Sequence, residues 1–255
     1  MRIVSLSPTA TEDLFAIGAG KQVVAVDNQS DYPKSAPITK LSGYTPNAEA
    51  IAAYRPDLVV VSYDGAHIVE ALGKLKIPVL VEPGAATLAQ AYGQIVQLGK
   101  KTGHAAAAEK VVAGMKTKIA AIAASMPHPS PPLTVYHELG TDLYSATSKT
   151  FIGRIYTLLG LKDIADAADK TGSGYPQLSE EYIVAADPTL IVLADTVCCG
   201  QTVAKVDKRA GWSTIAAVKG NGVLAVNDDI ASRWGPRIVD FMQEVAARAK
   251  VLAAK

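Results

Sequence analysis

Six aromatic side chains and two adjacent cysteines are the residues of this sequence best placed to do chemistry. Tyr44, Tyr63, Tyr136, Tyr175 and Trp234 stand in segments that read as loops just beyond short apolar runs, and Trp212 lies in the segment leading to the last such run. Aromatics make up only 6% of the chain, so their gathering in loops points to flat faces that stack on a large conjugated or hydrophobic ligand. The plainer alternative is that individual rings are half-buried packing residues. Cys198 and Cys199 close an apolar run at the same kind of loop. Being adjacent, they cannot staple distant parts of a fold; they would either form a vicinal disulfide that stiffens the loop, favoured if the protein is exported, or pack as two reduced thiols.

The patterns expected of catalysts are missing. Gly18 and Gly20 in IGAGK follow a helical segment rather than a strand and lack the rest of a phosphate-binding loop, so they read as a helix cap. There is no GxSxG elbow, and HELGT at 137–141 lacks the second histidine of a zinc-hydrolase helix. His67, His104, His128 and His137 are isolated along the chain, so a transition-metal site would have to be assembled in space. His137 and Glu138 stand apart from any second acid or base. No enzyme, no resident cofactor and no metal site is expected. Glu70 reads as a solvated surface charge.

These residues are positioned by a regular alternation of short Val/Ile/Leu runs and longer segments of helical period, the pattern of parallel sheets covered by helices. Strands are predicted over 2–6, 23–26, 58–62, 79–81, 134–136, 190–194 and 223–226, and helix starts at Thr9 with Glu12, at Thr45 before Pro46 and at Ser179 before Glu180. Between the two strand-bearing halves, residues 104–126 carry Val111, Met115, Ile119, Ile122 and Met126 along one helical stripe, followed by the proline-rich stop PHPSPP. Such a rod bridges two lobes or serves as the crossover of one sheet. The fold expected is α/β, with two Rossmann-like lobes, parallel central sheets, one connecting backbone helix and a ligand cleft between the lobes. The divisions are an N-terminal lobe over 1–103, the helix over 104–126 and a C-terminal lobe over 127–255.

An internal repeat supports two lobes. IAAYRPDLVVVS at 51–62 aligns without gaps on IVAADPTLIVLA at 183–194, matching Ile51 to Ile183, Pro56 to Pro188 and Leu58 to Leu190. FAIGAGK at 15–21 echoes YTLLGLK at 156–162, and IPVLVEP at 77–83 echoes NGVLAVND at 221–228, in the same order. Composition is that of a globular chain, with 49% hydrophobic and 19% charged residues, and a net charge of +1 without a basic run leaves no footprint for nucleic acid. No apolar stretch is long enough to span a membrane, and no leader precedes the first strand, so an exported form is expected to have lost its signal.

RIVSLSPTATEDLFAIGAG, PDLVVVSYDG, TFIGRIYTLLG, GYPQLSEEYIVAADPTLIVLAD and WSTIAAVKGNGVLAVNDDIASRWGPR together resemble the iron-chelate and cobalamin class of periplasmic binding proteins over nearly the whole chain, most closely actinobacterial iron-uptake lipoproteins of the ferric-dicitrate-like branch. The resemblance implies an extracytoplasmic, lipid-anchored, monomeric receptor that delivers a ferric siderophore or haem to an ABC permease. Cobalamin is the alternative within the family, and a chelatase-like enzyme shares the two-lobed plan. Tyr63 falls where cobalamin binders place a stacking tryptophan and some haem binders an iron-ligating tyrosine. Arg233 and Arg237 fall in a segment that often lines the cleft, where guanidinium groups meet ligand carboxylates. Glu70 matches the N-lobe glutamate that docks onto transporter arginines, while its counterpart by the repeat offset is Thr202, with no acid until Asp207.

Overall fold

Ile3–Leu6, three apolar residues and a serine, form β1 and are buried on both faces, as a central parallel strand requires. The computed structural model describes residues 1–255. After β1 the Ser7 hydroxyl accepts from the Ala10 amide at 3.3 Å and caps α1 (Pro8–Ala16). Pro8 takes the first helical position, where its missing N–H costs nothing and its fixed φ starts the turn, so the cap lies two residues before the expected Thr9. Then come β2 (Val23–Asp27), β3 (Ile38–Leu41), α2 (Ala48–Ala52), β4 (Leu58–Val61), α3 (Ile68–Lys74), β5 (Val79–Val81) and α4 (Leu88–Thr102). The cap of α2 is Asn47 rather than Thr45, its carboxamide accepting from the Ala50 amide at 2.8 Å. The sheet is all parallel in the order β3-β2-β1-β4-β5. The sequence did not signal β3 because it is an edge strand whose Ile38 faces solvent.

The chain leaves this first unit along α5 (Ala105–Ala124), one unbroken helix within which the compact units divide, at Lys116 and Thr117. At 1.5 Å per residue its 20 residues span about 30 Å. Ala108, Val112, Met115 and Ile119 are buried at spacings of four, three and four, with Val111 and Ile122 only partly covered. His104 and Met126 lie outside the helix. The strands on either side belong to two separate sheets, which removes the alternative of a crossover within one sheet.

In the second unit β6 (Thr134–Glu138), α6 (Phe151–Leu158), β7 (Lys162–Asp163), α7 (Glu180–Ala186), β8 (Leu190–Leu193), α8 (Val203–Val206), α9 (Ala216–Lys219), β9 (Val223–Ala225), α10 (Asp228–Ser232) and α11 (Ile238–Ala253) follow. The parallel order is β7-β6-β8-β9. Ser179 caps α7 as expected. At two residues, β7 is too short to leave a hydrophobic signature. The core gathers Tyr136, Ile183, Ile191, Leu193, Trp212, Ile215 and Val223. Four residues late in the chain, Arg233–Pro236, pack with the first unit.

The repeat is a structural one. Ile51 on α2 and Ile183 on α7 are both fully buried, and each helix runs through a proline turn into the strand between two others, β4 or β8. The residues before the two prolines, Arg55 and Asp187, both take positive φ, 50° and 46°. Such a conformation costs an L-residue about 1–2 kcal/mol and here serves as the helix stop. Gly18 and Gly160 end α1 and α6 at φ 88° and 74°, one residue out of the ungapped match.

Candidate strand-end binding surfaces

Of the ten tyrosines, the five that are exposed, Tyr32, Tyr44, Tyr63, Tyr144 and Tyr175, all stand on segments following carboxyl ends of strands. This is the face on which parallel α/β sheets bind ligands, because the connecting loops there converge on helix starts. In the first unit Tyr32, Tyr44 and Tyr63 follow β2, β3 and β4 in turn. The Tyr44 loop crosses close over the sheet: a Cβ on Gly43 would lie 2.8 Å from the Leu6 carbonyl oxygen and from an Asp27 carboxylate oxygen, so only glycine fits. Ser42 Oγ then accepts from the amides of Tyr44 (3.2 Å) and Thr45 (3.0 Å), leaving the Tyr44 side chain 74% exposed. Tyr63, 43% exposed, donates its hydroxyl to the Tyr44 carbonyl at 2.7 Å. Its ring lies so near Gly65 that a Cβ there would sit 2.8 Å from Cε2. Tyr63 therefore presents a ring face with its oxygen already engaged.

Arg233 and Trp234 belong to this unit's frame. The Arg233 guanidinium donates to Glu12 (2.9 Å), to Asp31 (3.1 Å from each terminal nitrogen) and to the Gln29 carbonyl (3.0 Å), and the residue is buried. This corrects its assignment as a ligand clamp, because protein carboxylates occupy the donors a ligand would need. It also fixes the loop that carries Tyr32. The Trp234 ring is half-buried against Gly84, and its Nε1 donates to Gln94 Oε1 at 2.8 Å. Behind Arg233, burial and the neighbouring Glu82 and Glu12 charges raise the Asp13 carboxyl well above its ordinary range, and burial pushes Glu82 to about 8.

In the second unit Tyr144 follows β6 and pairs with Gln177 in an isolated antiparallel bridge. Tyr175 follows β7 on a loop held by Asp169, which accepts from the Gly174 amide (2.9 Å) and the Ser173 amide (3.0 Å); these bonds hold the Asp169 carboxyl below its ordinary value. Two expected ligand residues prove to be core. Tyr136 points inward from β6, Trp212 is also fully buried, and their rings meet edge to face with centroids 6.2 Å apart. Tyr136 is buried because β6, a parallel strand between β7 and β8, is covered on both faces, so neither side of the strand faces water. Trp212 is covered by Arg209, whose guanidinium carbon lies 4.4 Å from the ring centroid. Arg237 is partly buried directly before α11, its carbonyl accepting from the Asp240 amide at 2.9 Å.

A polar cluster that the sequence did not announce lies at the ends of β6 and β8. Arg209 donates to both oxygens of fully buried Glu138, each at 2.6 Å, and to Gln201 at 3.3 Å. Burial and the Glu138 charge raise neighbouring Asp195 to about 7. Cys198 and Cys199 are disulfide-bonded to each other. His137 is a core residue: burial lowers it to about 3, and its Nδ1 is 2.5 Å from the Tyr156 hydroxyl. The KVDKRAGW stretch, with an arginine three residues before a tryptophan, was the available signal for the Arg209–Trp212 contact.

A family model described as periplasmic binding protein matches residues 3–229. The chain belongs to the periplasmic binding protein family. An ABC transporter substrate-binding lipoprotein of Bacillus subtilis is 31% identical over 254 residues, covering 96% of this chain and 78% of the relative. A cobalamin-binding protein of Halobacterium salinarum is 34% identical over 254 residues, with 96% and 68% covered. The periplasmic haem-binding protein HutB of Vibrio cholerae superposes with a TM-score of 0.85 at 22% identity, over 97% of this chain and 98% of that one, and shares its two-domain parallel α/β fold. This binding protein is an ABC-transporter substrate-binding protein of the siderophore, haem and cobalamin branch. Its relatives are binding proteins rather than enzymes, and the family works outside the cytoplasm.

Proposed function

We propose that this binding protein captures a bulky chelate whose metal is already fully ligated, a corrinoid or a ferric siderophore, and passes it unchanged to an ABC permease. The observation that carries this is Tyr63, exposed as a ring face while its hydroxyl donates to the Tyr44 carbonyl. Haem iron takes an axial ligand from its protein. A phenolate at Tyr63 would have to surrender that hydrogen bond, whereas a saturated chelate asks only for apolar and aromatic surface. The gathering of exposed tyrosines on strand-end loops supplies such surface, and relatives named for cobalamin binding support the corrinoid choice. The protein turns nothing over and acts as a monomer held at the membrane by a lipid anchor, as the lipoprotein relative suggests. Glu70 is its contact with the permease.

Calorimetric titration with cyanocobalamin, a ferric hydroxamate and haem tests the reading. A saturated chelate should bind, Tyr63→Phe should bind it as wild type does, and Tyr63→Ala should lose about 1–2 kcal/mol of affinity, the range of one aromatic anchor. Binding of haem alone, abolished by Tyr63→Phe, would establish iron ligation instead.

A further inference from the structure

The loop that closes on the disulfide is the least economical piece of surface in the second unit. Val197 is 68% exposed, and Cys198 and Cys199 beside it are exposed as well. An apolar side chain left in water on a mobile loop would be unremarkable, but this loop is held from several directions. Asp228 accepts from the amides of Val197 (3.0 Å) and Cys198 (2.7 Å) and from the Thr196 hydroxyl (3.0 Å). The Gln201 amide donates back to the Asp195 carbonyl at 3.2 Å, closing the loop at its neck. Lys205 Nζ donates to the Gly200 carbonyl at 2.8 Å, with Gly200 at φ 64°. Gln201 is in turn tied to Arg209.

The polar contacts of Thr196, Val197 and Cys198 turn toward Asp228 and the Val226 carbonyl, so the outward side is left to a valine and two sulfurs. Holding apolar atoms rigidly outward lowers the ordering cost of an encounter with an apolar partner. The loop follows β8, which pairs with β6, and the segment following β6 carries Tyr144. We infer that Val197 and the Cys198–Cys199 disulfide are a ligand-contact platform of the second unit, taking an apolar face or rim of the chelate. This rests on the binding function proposed above and adds to it the residues that select for apolar ligand surface.

The experiment is calorimetric titration of wild type, Val197→Asp, Cys198→Ser/Cys199→Ser and Cys198→Ala/Cys199→Ala with whichever of cyanocobalamin, a ferric hydroxamate and haem the wild type binds. Thiol titration in denaturant first establishes that the wild-type cysteines are oxidised. Val197→Asp is expected to weaken binding tenfold or more, and both double variants at least threefold. Circular dichroism and melting should remain as in wild type, because all three positions lie on exposed surface. Failure of the wild type to bind any chelate would sink the proposed ligand class itself. Wild-type binding with Val197→Asp within twofold overturns the platform while leaving that class standing, and two free thiols in wild type overturn its disulfide part.

Discussion

Each unit keeps one arginine under its strand ends, and the two are used differently. Arg209 in the second unit meets the carboxylate of fully buried Glu138 with two parallel bonds of 2.6 Å and stacks on buried Trp212. Arg233 in the first unit is divided among Glu12, the Gln29 carbonyl and Asp31, whose side chain is 60% exposed. The first is a closed ion pair against the core. The second is a strap: a residue 202 positions away in sequence pins the loop that leads to Tyr32. One fold can therefore spend the same side chain wholly on a covered acid, or on joining a covered acid, Glu12, to an exposed loop acid, Asp31, and so present a binding loop.

Breaking the clamps separates the two uses. Removing one member of a covered pair leaves the other charge stranded, which costs about 3–5 kcal/mol. Arg209→Ala is therefore expected to lower the thermal midpoint strongly, and Glu138→Gln less, because its amide still accepts from Arg209. Arg233→Ala likewise strands a covered acid, Glu12, whose side chain is 2% exposed, so it should also cost about 3–5 kcal/mol. Unlike Arg209→Ala, it should also lower chelate affinity through the Tyr32 loop. Unaltered binding by Arg233→Ala would collapse the distinction.

Both clamps were illegible in the sequence for one reason. The alternation of strands and helices, the stripe on α5 and the helix–proline–strand repeat are local patterns, and each leaves its mark within twenty residues or so. Pairings such as Glu12 with Arg233, 221 positions apart, leave none. Tyr63 read as a strand-end aromatic and is one. Tyr136 and Trp212 carried the same signal and are core residues, because loop adjacency does not say whether a neighbouring arginine or strand covers the ring. Tyr32 was missed although DYP after β2 is a turn signal, since the segment ahead of β3 could not be divided until that edge strand was seen.

The carboxyls beside the clamps titrate in different windows. Glu82 in the first unit is raised to about 8 by burial, so its contribution to stability is present below the ordinary glutamate value and is lost as pH rises through 8. In the second unit Asp195 and Asp163 are raised to about 7, and their contributions are lost as pH rises through 7. His137, lowered to about 3, opposes them: its contribution is intact above its ordinary value of 6.5 and fades as pH falls toward 3. Between pH 7 and 8.5 the remaining slope belongs chiefly to the first unit. Glu82→Gln should flatten it, so that the variant gains on wild type as pH rises, by about 2–4 °C for each kcal/mol recovered. Melting curves across that range decide the matter, and a wild-type midpoint that does not fall there, or a variant curve parallel to it, would show that Glu82 folds ionised.

The smallest effect on the protein itself is expected at the helices where the repeat is least symmetric. Glu70 stands in the first turn of α3 and meets Lys74 one turn on at 2.7 Å, with both side chains largely in solvent. The equivalent position in the second unit, Thr202, is spent as the cap of α8, its hydroxyl accepting from the Lys205 amide at 3.3 Å. The residue there is a neutral cap rather than an acid, and Asp207 comes only at the far end of that short helix. An exposed i, i+4 ion pair is worth about 0.3–0.5 kcal/mol, so Glu70→Ala should leave melting and chelate affinity nearly unchanged. If Glu70 is the permease contact, the same variant should fail to stimulate chelate-dependent ATP hydrolysis by the reconstituted cognate transporter. Asp207→Ala should stimulate it normally, because the second unit has no matching acid to lose. Normal stimulation by Glu70→Ala would return Glu70 to an ordinary surface charge, and impairment by Asp207→Ala would mean that the second unit docks through the far end of α8.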